Sequence, residues 1–305
     1  MEAFPNEILR LILNLVSDVH CGFARVSKRF NELFIIIKAE RIKDEKECFE
    51  QFSPLVIFTS YNKVKIYEKA CQLGKKYVIE SMISKGIDDW NRGMKYSAEG
   101  GHKDLLEFFI EKGANNWNGG MYSAAEGGHQ HLVEFFILRG ANNWNWGMEY
   151  AVKGGFKDLV EFFIEKGAND CNWGMITAAL GGHKNLVEFF IEKGANNWNG
   201  GMASAAEGGH QHLVDFFISK GVDSWNFGMK YAAKGGFKDL IKFFIEKGAK
   251  NWNGGMAHAA YGGHKELVEF FISKGANNWD WGMYWAALGD HTKIVKFFKE
   301  KQVSK

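Results

Sequence analysis

Residues 118–144 read NGGMYSAAEGGHQHLVEFFILRGANNW, and this pattern returns along the chain with a step of 27 residues. Met94, Met121, Met148, Met175, Met202, Met229, Met256 and Met283 keep that step, each directly after a Gly. Trp90, Trp117, Trp144, Trp198, Trp225, Trp252 and Trp279 keep it too, with Cys171 in the one slot that lacks Trp. Tyr67 carries the Met series one step back, in a looser match over Ile66 to Trp90, so about nine units fill residues 63–305. A fixed period of this size marks a repeat architecture, in which one supersecondary unit is stacked many times. A period of 81 lies on top of it: Asn115 to Phe136 reappears almost unchanged as Asn196 to Phe217, and Gly154 to Asp158 as Gly235 to Asp239. A block of three units is therefore duplicated as one piece.

Within one unit the spacing predicts two helices. Three residues before each Met stands Asn91, Asn118, Asn145, Asn172, Asn199, Asn226, Asn253 or Asp280, a short polar side chain suited to capping the free amides of a helix start. Helix A is expected from about Gly119 to Glu126, with Met121, Ala124 and Ala125 on one buried stripe. Gly127-Gly128 ends it. Helix B is expected from about Gln130 to Arg139, with Leu132, Val133, Phe135, Phe136 and Ile137 giving a broad apolar face and Gly140 closing it. So small a hairpin cannot bury its apolar faces alone, and stacking on its neighbours is obligatory. The first and last units are expected to act as caps. In the last, Lys299 stands where the preceding unit has Ile272, and Lys296 where it has Glu269, which makes the terminal surface more polar.

The string Ala124-Ala125-Glu126-Gly127-Gly128-His129, followed by Leu132-Val133 and by Gly140-Ala141-Asn142, resembles the ankyrin repeat. The resemblance recurs in order through eight clear units over residues 63–305. It implies an all-α fold, a solenoid of antiparallel helical hairpins. Ankyrin units usually have about 33 residues and begin helix A with Thr-Pro-Leu-His, whereas this unit begins Gly-Met. The shortage falls between Gly140-Ala141 and Gly147-Met148, where the ankyrin β-hairpin finger projects, so short loops without long fingers are expected. The Trp in that loop has two readings, an exposed binding ladder or a plug that seals the space left by the hairpin. Its repetition favours the plug.

Positions that wander between units mark the candidate binding surface. One residue after Met stand Lys95, Tyr122, Glu149, Ile176, Ala203, Lys230, Ala257 and Tyr284; two after stand Tyr96, Ser123, Tyr150, Thr177, Ser204, Tyr231, His258 and Trp285. Five after stand Glu99, Glu126, Lys153, Leu180, Glu207, Lys234, Tyr261 and Leu288. These positions share one face of helix A, opposite the Met-Ala-Ala stripe. With helices about 8–10 Å apart, eight such faces predict a groove on the order of 80 Å long. The candidate target-binding residues are Tyr96, Glu99, Tyr122, Tyr150, Lys153, Tyr231, Lys234, His258, Tyr261, Tyr284 and Trp285. Tyr and Trp offer contact area at low entropic cost. Neutral drift on a solvated face is the competing explanation.

The regular series His102, His129, His183, His210, His264 and His291 suggests metal at first sight. Neighbours about 10 Å apart cannot share one zinc, whose bonds are about 2.0–2.3 Å long, and Phe156 and Phe237 replace His in two units. An imidazole that bonds the turn between helices is the expected role. His131 and His212 belong to the duplicated block, and no role is assigned to them. Catalysis needs one asymmetric constellation, whereas these polar groups recur in equivalent surroundings. Each Gly-Gly lies in a helical hairpin without the preceding strand that a phosphate loop needs. The expectation is a non-enzyme without metal or cofactor.

Lys and Arg number 38 against 36 Asp and Glu, too even a balance to favour nucleic acid or membrane as partner. Cys21, Cys48, Cys71 and Cys171 fall in no disulfide or metal spacing, which points to a reducing cytosol. No basic leader with an uninterrupted apolar core opens the chain, and no window has the 18 or so apolar residues of a transmembrane helix. A monomeric cytoplasmic protein is expected.

Residues 1–38 follow another pattern. The stretch reads Phe4-Pro5-Asn6-Glu7-Ile8-Leu9, then Ile12-Leu13 and later Val26-Ser27-Lys28-Arg29-Phe30, and its apolar spacing predicts a helix from about Asn6 to Leu15 and another from about Phe23 to Leu33. The segment resembles an F-box, with Phe4 and Val16 where Leu is usual. That resemblance implies that Phe4, Pro5, Ile8, Leu9, Ile12 and Leu13 dock on a Skp-type adaptor of a cullin-RING ubiquitin ligase. A helical cap over the first repeat is the alternative. Residues 39–62 are expected to form a helical connector. The pairing of F-box-like and ankyrin-like parts is similar to proteins of large DNA viruses, and the fingerless unit to those of amoeba-infecting giant viruses, which implies the host cytoplasm as location. The expected function is protein binding, as the target-recognition part of a ubiquitin ligase or, alternatively, as a scaffold or decoy without that link.

Overall fold

The computed structural model describes residues 60–303. Phe4, Pro5, Ile8, Leu9, Ile12 and Leu13, and all but the end of the 39–62 connector, lie outside the described residues. The chain divides into two compact units, one ending at Asn142 and one beginning at Asn143. In the first, helices run over Ser60–Gln72 (α1), Lys76–Ser84 (α2), Trp90–Glu99 (α3), Lys103–Glu111 (α4), Trp117–Glu126 (α5) and Gln130–Ile137 (α6). The second holds Trp144–Gly154 (α7), Lys157–Glu165 (α8), Cys171–Gly181 (α9), Lys184–Glu192 (α10), Trp198–Glu207 (α11) and Gln211–Ser219 (α12). It continues with Trp225–Gly235 (α13), Lys238–Glu246 (α14), Trp252–Tyr261 (α15), Lys265–Ser273 (α16), Trp279–Leu288 (α17) and Thr292–Val303 (α18). Odd-numbered helices are A helices and even-numbered ones B helices. Each A helix packs on its own B helix, and within each unit on the A helix of the next hairpin.

This is an all-α helical-hairpin repeat fold, compatible with ankyrin-like repeats, and no strand occurs among the described residues. Five residues, 112–116, join α4 to α5, so the fingerless loop expected from the short unit is present.

The core explains the recurring Gly-Met and Phe-Phe pairs together. The second Phe of each B helix from α4 onward, such as Phe136, Phe190 and Phe271, is fully buried, and Met82 holds that place in α2. The Phe ring lies against the Gly that precedes Met in its own hairpin: a Cβ on Gly120 would run into Phe136, on Gly174 into Phe190, and on Gly255 into Phe271. The Gly is there so that the ring can touch backbone. Burying each Phe contributes roughly 1.5–3 kcal/mol, repeated in every hairpin after the first. The first Phe is packed edge-on against the second, 5.4 Å between ring centres for Phe135 and Phe136, and carries a cation on its outer side. Arg139 lies 3.5 Å above Phe135 and Lys166 5.2 Å above Phe162.

Two sequence expectations change. Helix A starts two residues earlier than the spacing suggested, because its capping oxygen belongs to the residue five before Met. Asn116 Oδ1 accepts the Gly119 N–H at 3.0 Å, and Asp89, Asn143, Asp170, Asn197, Asn251 and Asn278 cap their helices likewise. The Asn three before Met, already helical, reaches forward to the next hairpin's loop. Asn91 Oδ1 accepts the N–H groups of Asn115 and Asn116, both at 2.9 Å, and Asn118, Asn145, Asn172, Asn226 and Asn253 repeat the contact. It is an inter-repeat clasp and not an N-cap.

The Trp series also moves, from the loop into the first turn of helix A. All seven indoles are half-buried, which matches neither a free ladder nor a sealed plug. Trp279, for instance, lies edge-on to Phe298 with ring centres 6.4 Å apart.

The His series has the structural role expected of it, although its acceptor is the preceding hairpin. His102 Nε2 donates to the carbonyl of Gln72 at 2.9 Å, His129 to that of Glu99 at 3.0 Å and His264 to that of Lys234 at 3.0 Å. That carbonyl comes so close to Gly100, Gly127 and Gly262 that a Cβ there would collide with it. Gly128, at φ +79°, makes the left-handed turn that follows.

Candidate functional site

The A helices present the variable residues, and the earlier helix start alters which of them face outward. Beginning at Trp117 or its equivalents, helix A has a full turn before Met, and the position two before Met lies one turn below the position two after it. That position holds Arg92, Gly119, Trp146, Trp173, Gly200, Phe227, Gly254 and Trp281. In the second unit Trp146 and Trp173 are about half exposed, at 50% and 49%, and Phe227 and Leu180 are exposed beside them, at 38% and 42%. Sequence reasoning missed Trp146, Trp173 and Phe227. The signal is their variation between units, which the Asn just before each of them masks by its own resemblance to a helix cap.

Positions one and two after Met are less outward than expected. Where the side chain is small it is covered, as for Ser123, Thr177, Ser204, Ala203 and Ala257. The residue two after Met points along the row of A helices and meets its equivalents. Tyr231 and His258 have ring centres 5.6 Å apart, and His258 stacks on Trp285 at 5.3 Å and 24°. Tyr261 closes the group edge-on to Trp285 at 5.5 Å. Of the expected binding residues, the structure thus brings Tyr231, Lys234, His258, Tyr261 and Trp285 together, with Tyr284 next to Trp285 and largely exposed. Phe227 lies edge-on to Tyr231 at 4.8 Å.

Tyr150 and Lys153 form a second group on α7. Trp146 stacks on Tyr150, and Lys153 lies 4.2 Å above the Tyr150 ring while pairing with Glu149 at 2.8 Å. In the first unit Tyr96 and Glu99 sit on α3 and Tyr122 on α5, all half-buried. Glu99 accepts from Gln72 at 2.6 Å. Burial, with the nearby Glu68 carboxylate, raises the Tyr96 phenol above its usual range.

The electrostatics are mild. Lys234 pairs with Glu207 of the preceding A helix at 2.7 Å and lies above the Tyr261 ring at 5.3 Å. His258 donates from Nδ1 to the Gly254 carbonyl at 3.0 Å. Burial, followed by Lys230 and Lys234, outweighs that bond and holds its pKa below the usual imidazole range. Among the described residues no three His, Cys, Asp or Glu side chains gather as a metal site would require, and no helix is long and apolar enough to cross a membrane. His129 and His131 stand 6.2 Å apart edge-on, and His210 and His212 6.0 Å. Chemically the face offers aromatic surface, stacked rings and a few paired charges, which suits contact with a polypeptide.

Compared with known proteins, the chain matches no family model, and no curated protein is similar enough to count as a relative.

Proposed function

We propose that this protein is a protein-binding repeat module that holds its partner on the outward face of the A helices. The observation that carries this reading is the set of large apolar side chains left in solvent on three A helices of the second unit, Trp146 on α7, Trp173 and Leu180 on α9, and Phe227 on α13. Contiguous exposed apolar surface is avoided unless something covers it, and Trp is over-represented among residues that dominate binding energy. The repetition beneath that face and the variation on it fit a scaffold of fixed shape with an adaptable surface.

The F-box-like segment supports a finer proposal, in which the array selects a target and the N-terminus recruits a Skp-type adaptor, so that tethering raises the target's effective concentration near a ubiquitin ligase. One experiment tests both. The full chain, expressed in cells with an epitope tag, is compared with Pro5→Ala/Ile8→Ala and Trp146→Ala/Trp173→Ala/Phe227→Ala variants by quantitative affinity purification. The Skp adaptor is expected with the wild type and the A-helix variant but not with the F-box variant, and the target with the F-box variant but not with the A-helix variant. Absence of the adaptor from the wild-type sample removes the ligase link and leaves a scaffold or decoy. Retention of every partner by the A-helix variant removes the binding face.

A further inference from the structure

We infer that the part of this face formed by α13, α15 and α17 takes an acidic peptide segment, one carboxylate of which is held between Lys230 and His258 while an adjoining apolar side chain lies against Phe227 and Trp281. The inference rests on the reading of the A-helix face as a partner surface and names the chemistry of the partner.

The geometry begins at Gly254. The neighbouring helices carry aromatic rings at the same position, Phe227 on α13 and Trp281 on α17, so the absent side chain leaves a notch between them. Lys230 lies across that notch: its Cε stands where a Cβ on Gly254 would be. One turn on, His258 donates from Nδ1 to the Gly254 carbonyl. Its Nε2 has no partner among the described residues. The imidazole is held flat by stacking on Trp285 and by contact with Tyr231, so Nε2 is fixed in direction before any ligand arrives.

The charged groups that act on His258 are both lysines, Lys230 and Lys234. Lys234 is neutralised by Glu207 at 2.7 Å, whereas Lys230 has no ion pair among the described residues. The groups that meet His258 are Lys230, Lys234 and Tyr231 from α13 and Trp285 from α17, with Tyr261 and Tyr284 against Trp285. The one acid of α17, Asp280, accepts from Gln302 at 2.6 Å. An uncompensated ammonium beside aromatic rings calls for an anion that brings apolar surface with it, and complementary charge sets both the specificity and the rate of such encounters. A basic segment would meet like charge here. Lys230 supplies the charge that pairs with a carboxylate, and Nε2 of His258, once protonated, supplies a hydrogen bond to it.

Burial first, and then Lys230 and Lys234, hold the pKa of the free imidazole below its usual range. A carboxylate against Nε2 acts in the opposite direction, so binding takes up a proton and tightens as pH falls.

The test is selection of a random dodecapeptide phage library on the full-length protein, followed by affinity measurement with synthetic peptides of the strongest clones. Selected peptides should carry Asp or Glu next to an aromatic or aliphatic residue. They should bind about tenfold more weakly to Lys230→Glu and severalfold more tightly at about pH 6 than at about pH 8. The pH dependence should be lost in His258→Gln. The wild-type pH profile needs no variant, and circular dichroism shows whether the variants keep their helices. Peptides that are neutral or basic, or that bind Lys230→Glu unchanged and lose binding only with Trp173→Ala, overturn the acidic-partner inference and leave the A-helix face standing. Peptides indifferent to all these substitutions, or no selected peptide at all, overturn both.

Discussion

Asn172 Oδ1 accepts the N–H groups of both Asn196 and Asn197, each at 2.9 Å, so one side chain of a hairpin holds the loop that leads into the next. Asn197 in turn caps α11 by accepting from Gly200 at 3.1 Å. The clasp and the cap are consecutive links, and together they set the loop at a fixed length without a β-hairpin. Asn172→Ala should therefore cost about 1 kcal/mol, read as a lower urea midpoint with unchanged slope. Asn199→Ala is the internal control, because Asn199 makes no clasp among the described residues and should change the midpoint less. Equal effects of the two substitutions would contradict the clasp.

Gly174→Ala should destabilise the fold even though Ala is the better helix former by about 1 kcal/mol. A Cβ at Gly174 would enter the Phe190 ring, and forcing an extra methyl into a packed core costs about 1–3 kcal/mol. Because the two residues touch, Phe190→Leu should relieve part of that loss, and a double-mutant cycle by urea denaturation should give a coupling of at least about 0.5 kcal/mol. Additive effects would mean that the ring does not rest on the Gly backbone.

Stability should fall on mild acidification. Burial lowers the pKa of both His129 and His258 in the folded chain. The native state thus binds fewer protons than the unfolded one, and the stability these residues contribute is present above the unfolded value of about 6.5 and lost as pH drops below it. The urea midpoint should decrease between about pH 7.5 and about pH 5.5, with a smaller decrease in the His129→Gln/His258→Gln variant. An identical decrease in the variant assigns the acid sensitivity to other groups.

Cys71 should resist alkylation in the folded protein. It is fully buried, and desolvation pushes its thiol up to about 12, so the reactive thiolate is scarce at about pH 8. Cys171, half-buried in the Trp slot at the start of α9, should react faster than Cys71 with iodoacetamide, as followed by peptide mapping. Equal rates at the two positions would show that the first unit opens readily.

The fold was legible because the period writes the same physics many times. Met121, Ala124, Ala125, Leu132, Val133 and Phe136 are all fully buried, as the helical spacing required. The capping position was not legible from spacing alone. Asn116 and Asn118 are both Asn two residues apart, and only the backbone decides which oxygen reaches the Gly119 amide. That two-residue displacement carried over to the candidate site. It moved the outward face by one turn, brought Trp146, Trp173 and Phe227 onto it, and placed the residues two after Met between neighbouring A helices. The stacking of His258 on Trp285 depends on how successive A helices pack, which no single unit encodes.

The binding face is tested most directly by site-specific photo-crosslinking in cells, with a benzophenone amino acid placed singly at Trp146, Trp173 or Phe227 and, on the B helices, at Lys184 or Glu188. The account predicts one shared partner adduct from the three A-helix positions and none from α10. Adducts formed from Lys184 or Glu188 and absent from all three A-helix positions would contradict it.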